Sequence, residues 1–131
     1  MTADDLTAAL QACAAGLYPL EAGTALLIAN GTFLHRGDFT SRFIETGISI
    51  SDGTTLMADI GWNAALTALR AGELPCSGGE RRILELSSSL ASGTPVNLND
   101  AVTGLDDHNT ARLVTAILHA SGKRPENSRY R

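Results

Sequence analysis

Ser77-Gly78-Gly79-Glu80-Arg81-Arg82-Ile83-Leu84-Glu85-Leu86-Ser87-Ser88-Ser89-Leu90-Ala91-Ser92-Gly93 decides the fold class of this chain. Ser77 and Glu80 stand three residues apart, immediately before the apolar positions Ile83, Leu84, Leu86 and Leu90. That spacing lets the Ser77 hydroxyl and the Glu80 carboxylate satisfy each other's backbone N–H groups, a reciprocal capping box. The apolar residues recur at helical intervals, Gly93 supplies a stop, and Pro95 forbids continuation. A helix from Gly78 to about Ala91 follows.

The same signals extend in both directions. Toward the C-terminus, Asn97 or Asn99 can cap a short helix running through Val102 before Gly104. Asp106 then caps a final helix, in which Leu113, Val114, Ile117 and Leu118 are expected to form the buried side. Toward the N-terminus, Trp62, Ala65, Leu66 and Leu69 share one face of a helix that ends at Gly72. Before it, Ile48-Ser49-Ile50, Asp52-Gly53 and the run from Thr54 to Ile60 suggest a small β-hairpin with a tight turn. Asp38 can cap a short helix burying Phe39 and Phe43, and with Phe33 all three phenylalanines fall in this segment, where a core nucleus is expected. Leu6, Leu10, Cys13 and Leu17 mark a first helix starting near Thr2 or Ala3. Gly16 and Tyr18-Pro19 interrupt it, and a second apolar helix is expected from about Leu20 to Ala29, stopped by Asn30-Gly31.

These elements describe a mainly α protein, a compact multi-helix single domain over residues 1–122 with a small β-hairpin near residues 48–60. The polar residues 123–131 read as a basic tail expected to be disordered. A chain of 131 residues suits one core, and with only 5% aromatic residues that core must be filled by Leu, Ile, Val and Ala.

Charge is divided unevenly. The net charge is −4, but Lys123, Arg124, Arg129 and Arg131 against Glu126 make the last nine residues +3, leaving −7 on the body. An acidic body disfavours nucleic acid, because phosphate affinity comes mainly from Lys and Arg. Two cysteines, Cys13 and Cys76, without dense spacing read as reduced core residues. No window approaches the ~18–20 apolar residues that span a bilayer, and the N-terminus lacks a secretory pattern, so a cytoplasmic location without membrane association is expected. Asn30-Gly31-Thr32 matches a glycosylation acceptor but reads as a turn.

Few residues suggest chemistry. Cys76-Ser77-Gly78-Gly79-Glu80-Arg81-Arg82 followed by Val96-Asn97-Leu98-Asn99-Asp100 and Thr103-Gly104-Leu105-Asp106 resembles the signature motif, Walker B segment and D-loop of an ABC-type ATPase. The resemblance covers residues 76–107, with Asn99 where the family has its magnesium-binding aspartate and Asp100 where it has the catalytic glutamate. No Gly-x-x-x-x-Gly-Lys-Ser/Thr loop exists to cradle phosphates, so ATP hydrolysis by this chain alone is not expected; a capping box, a helix and a capped turn reproduce the pattern. His35, His108 and His119 have no close-spaced ligand partner, and His108 and His119 are separated by about 16 Å along one helix, too far to share a metal ion. A thiolate at Cys76 would be favoured by the following helix N-terminus, but no histidine lies near it in sequence. No Gly-x-Ser-x-Gly elbow marks a nucleophilic serine. No catalytic residue, cofactor or metal is assigned.

Residues Gly72-Glu73-Leu74-Pro75-Cys76-Ser77-Gly78-Gly79-Glu80 and Asp100-Ala101-Val102-Thr103-Gly104-Leu105-Asp106-Asp107 are similar to those of small actinobacterial proteins of uncharacterised function. The resemblance implies a bacterial, cytoplasmic origin and supplies no activity or site. An Arg-rich, Lys-poor composition, in which Lys123 is the sole lysine, agrees with it.

The expected function is a non-enzymatic helical protein-interaction or regulatory module, binding a protein partner or a second copy of itself. The alternatives are a DNA-associated transcriptional regulator using the C-terminal helix pair and basic tail, and a small enzyme with an unrecognised site. Arg112, Lys123, Arg124, Arg129 and Arg131 are the candidate interaction residues. Against the DNA reading, Asp106 and Asp107 at the start of the would-be recognition helix would meet phosphate unfavourably.

Overall fold

The computed structural model describes residues 1–123. Among them the order is α1 (Ala3–Ala14), α2 (Tyr18–Asn30), a 3-10 turn (Phe33–His35), α3 (Gly37–Phe43), β1 (Ile44–Ile48), β2 (Leu56–Ile60), α4 (Trp62–Arg70), α5 (Gly78–Ser92), α6 (Leu98–Thr103) and α7 (Asp107–Ala120). The protein is mainly α, with one antiparallel two-stranded sheet.

The helix ends follow the capping signals. Ser77 accepts from the Glu80 amide at 3.1 Å while Glu80 accepts from the Ser77 amide at 2.8 Å, completing the capping box of α5. Thr2 and Asp5 make a second such box on α1. Asn97 caps α6 and Asp106 caps α7, each through its side-chain oxygen. Gly31 and Gly93, at φ +82° and +76°, close α2 and α5 in the left-handed conformation that glycine adopts without steric cost.

α2 is the hub. Its apolar residues are spread around the helix rather than gathered on one stripe, which suits an element packed on several sides. It packs on α1, α5 and α7, while α1 also covers β2 and α4 lies against α5. One hydrophobic cluster joins the whole, from Leu10 in α1 through Leu26, Phe39, Ile60, Leu66 and Ile83 to Ala101 and Leu113. Phe33, Phe39 and Phe43 form a chain of tilted rings with centroids 5.1 and 5.4 Å apart, and all three are buried in the core.

Several local expectations change: α1 ends at Ala14, which leaves Leu17 outside the helix and exposed. α2 begins at Tyr18 rather than Leu20 and carries Pro19 in its first turn, where the missing N–H has no intrahelical partner to lose. Asp38 does not cap α3: it lies inside the first turn, and its carboxylate is held by Arg36 at 2.9 and 2.5 Å. The hairpin starts at Ile44, directly after α3, and pairs Ile44 with Ile60 through Ile48 with Leu56. Its turn is the longer segment 49–55, in which Asp52 accepts from the Thr54 and Thr55 amides at 2.9 Å and Ile50 is fully exposed.

A further change concerns α7. Its buried residues are Asn109, Leu113 and Ala116, whereas Val114 and Ile117 remain 52% and 49% exposed. Both stripes fit helical periodicity. The buried stripe is the one turned toward α2, where Ala116 lies at the α2–α7 contact.

Candidate functional site

Helices α2 and α7 run antiparallel and are tied at both ends by polar contacts. Near the start of α7, Asn30 donates to Asn109 Oδ1 at 3.4 Å, and the Arg112 guanidinium donates to the same oxygen at 3.2 Å. Near its end, His119 Nε2 lies 2.6 Å from Glu21 Oε1, and the Tyr18 ring meets the imidazole edge-on at 5.8 Å. Glu21 also accepts from the Gly16 amide at 2.7 Å, so it fixes the α1–α2 connection as well. That backbone hydrogen bond, followed by the His119 contact, holds the Glu21 carboxyl below its ordinary value.

Between these ties lies an open cleft of about 300 Å³. Its floor and walls are Ala22, Ala25, Leu26, Ala29, Ala111 and Ala116, with Arg112, Thr115 and His119 as its polar groups. A second cleft of about 250 Å³ shares Ala25 and His119 with the first and extends past Glu21 to Ala14 and Ala15. The depression exists because alanine on both helices leaves the space that longer side chains would fill.

Away from the cleft, large aliphatic side chains are exposed on each of the two C-terminal helices. Leu98 and Val102, one turn apart on α6, are 56% and 41% exposed. They accompany the exposed Val114 and Ile117 of α7.

No family model matches the chain, no curated protein is similar to it, and no solved structure matches its fold.

The candidate interaction residues fall in different places. Arg112 is half-buried at the cleft, engaged with Asn109, and does not project from the outer face of α7. Lys123 is exposed just beyond α7. Arg124, Arg129 and Arg131, with the expected disorder of the tail, lie outside the described residues. Asp106 is occupied in capping α7 and Asp107 is exposed in its first turn, so the start of that helix presents acidic groups.

The segments resembling an ATPase adopt a different architecture. Residues 94–97 are irregular and Leu98–Thr103 is helical, whereas a Walker B aspartate is carried at the end of a strand. Asp100 instead lies 3.8 Å from Arg81 and 3.9 Å from Arg82, and its carbonyl accepts from Arg82 Nε at 3.2 Å, which pins α6 to α5. Cys76 and Cys13 are free and half-buried. Burial, and then the Glu80 carboxylate, push the Cys76 thiol above its ordinary value, which opposes the activation expected from a helix N-terminus.

His119 and Glu21 form a histidine–carboxylate pair of the kind that orients a general base, yet among the described residues neither adjoining cleft is lined by serine or cysteine. No group of three or more His, Cys, Asp or Glu residues is placed to hold a metal ion among the described residues. Sequence reasoning missed the cleft and the Glu21–His119 tie. A carboxylate in the first turn of one helix and a histidine in the last turn of another signal such a tie only once those helices are known to be antiparallel neighbours.

Proposed function

We propose that this protein is a non-enzymatic interaction module of the bacterial cytoplasm that associates with a second copy of itself through α6 and α7. The observation carrying this reading is the exposure of Leu98, Val102, Val114 and Ile117 on two consecutive helices. Burying such side chains contributes about 25 cal/mol per Å² of apolar surface, which favours covering them in a subunit contact. The absence of a membrane-crossing helix among the described residues is compatible with that setting. The acidic start of α7 and the engagement of Arg112 with Asn109 weigh against duplex DNA as the partner.

Size-exclusion chromatography with light scattering, followed at two wavelengths and at low and high salt, tests this reading. The wild-type chain is expected to give the mass of two copies free of nucleic acid, and the Val114→Glu/Ile117→Glu variant the mass of one. A single-chain mass at every concentration overturns self-association. A nucleic-acid peak lost at high salt favours the DNA-associated regulator instead.

A further inference from the structure

We propose that the cleft between α2 and α7 binds a free aliphatic monocarboxylate, with its chain along the alanine floor and its carboxylate on Arg112. The cleft has the size, about 300 Å³, and the mainly apolar lining of a small-ligand site between helices. What selects the ligand's charge is Arg112. Its side chain is half-buried, and its protein partner is the neutral amide oxygen of Asn109. Among the described residues no carboxylate forms an ion pair with it, whereas Arg36, Arg42, Arg81 and Arg82 each have one; Arg70, which also has none, lies on α4 and lines neither cleft. A guanidinium presents five donors in a planar fork suited to two carboxylate oxygens, and one bond to Asn109 leaves most of them available.

The opposite end limits the ligand's shape. From Arg112 to His119 the helix advances about 10 Å, a distance suited to a chain of about eight carbons. There His119 is already engaged by Glu21, whose negative charge would oppose a second carboxylate on the ligand. Val114 and Ile117 do not line the cleft, so this site is independent of the proposed association surface.

The test is a titration of the full chain with octanoate, octanol and octylammonium, followed by amide chemical shifts and calorimetry. Octanoate is expected to bind saturably, moving the amides of Ala25, Ala29 and Ala111, and to bind better than either analogue. Arg112→Gln should weaken octanoate by about tenfold or more, with Arg112→Lys recovering part of the loss. Ala25→Trp, at an exposed position, should fill the cleft and abolish binding while circular dichroism and Tm remain those of the wild type. Equal affinity for octanol and octanoate, unchanged affinity in Arg112→Gln, or no saturable shift at millimolar octanoate overturns the proposal. So does binding confined to anionic phosphatidylglycerol vesicles, which would make a membrane lipid the ligand.

Discussion

Gly23 shows how much a single position can fix. It sits in α2 where that helix meets α5, and a Cβ there would overlap the Ser87 carbonyl oxygen and lie 2.7 Å from the Ala91 Cβ. Backbone atoms cannot rotate away as a flexible side chain would, so one added methyl group must push two helices apart. Gly23→Ala is therefore expected to destabilise the fold by about 1–3 kcal/mol despite alanine's better helix propensity, measured as a lower urea midpoint. The opposite result, a stabilised variant, would show that α2 and α5 are not in such close contact. The sequence places Gly23 in an apolar helix but gives no reason for its being glycine. That reason is the neighbouring backbone, which belongs to a segment more than sixty residues away.

At the scale of elements, the described helix ends were the most legible features and the buried faces less so. Ser77, Asn97 and Asp106 cap the helices that their spacing implied, because capping is settled within about four residues. The second strand of the hairpin lies where its sequence places it, whereas the first begins earlier, at Ile44. Ile44 continues from a helix into a strand without an intervening breaker, and the alternation at Ile48-Ser49-Ile50 marks the edge of the loop rather than a buried strand.

The tie between α2 and α7 also belongs to this scale, and its contribution has a defined pH dependence. Because the Glu21 carboxyl is depressed in the folded state, its stabilisation is present above the ordinary value of 4.5 and is lost as pH falls through the lower folded value. Asp5, Asp38, Asp52 and Glu80 are depressed as well, Asp52 to about 2, so the whole protein loses stability across the same acidic range. The informative quantity is the difference between variants. The stability gap between wild type and Glu21→Gln should narrow as pH is lowered from about 6 to about 3, measured by urea denaturation at each pH. A gap independent of pH would show that ionisation of Glu21 does not stabilise the α2–α7 contact.

For the whole molecule, one cluster of buried residues reaches from α1 to α7, so no group of elements has a core of its own. Unfolding is then expected to be a single transition. Trp62, the sole tryptophan, is 6% exposed in α4, far along the chain from the α2–α7 contact. Urea curves followed by its fluorescence and by far-UV circular dichroism should coincide. Separate midpoints would show that the C-terminal helices come away independently of the remainder.

The sequence by itself determined the mainly helical class, the positions of most helix ends and the apolar character of α2, because propensity, capping and hydrophobic periodicity act over one or two turns. Only the tertiary structure decided which stripe of α7 is buried, which residues tie it to α2, and where a cleft opens beside Arg112. Those outcomes depend on which faces two helices distant in sequence turn toward each other, and periodicity within either helix alone does not settle that.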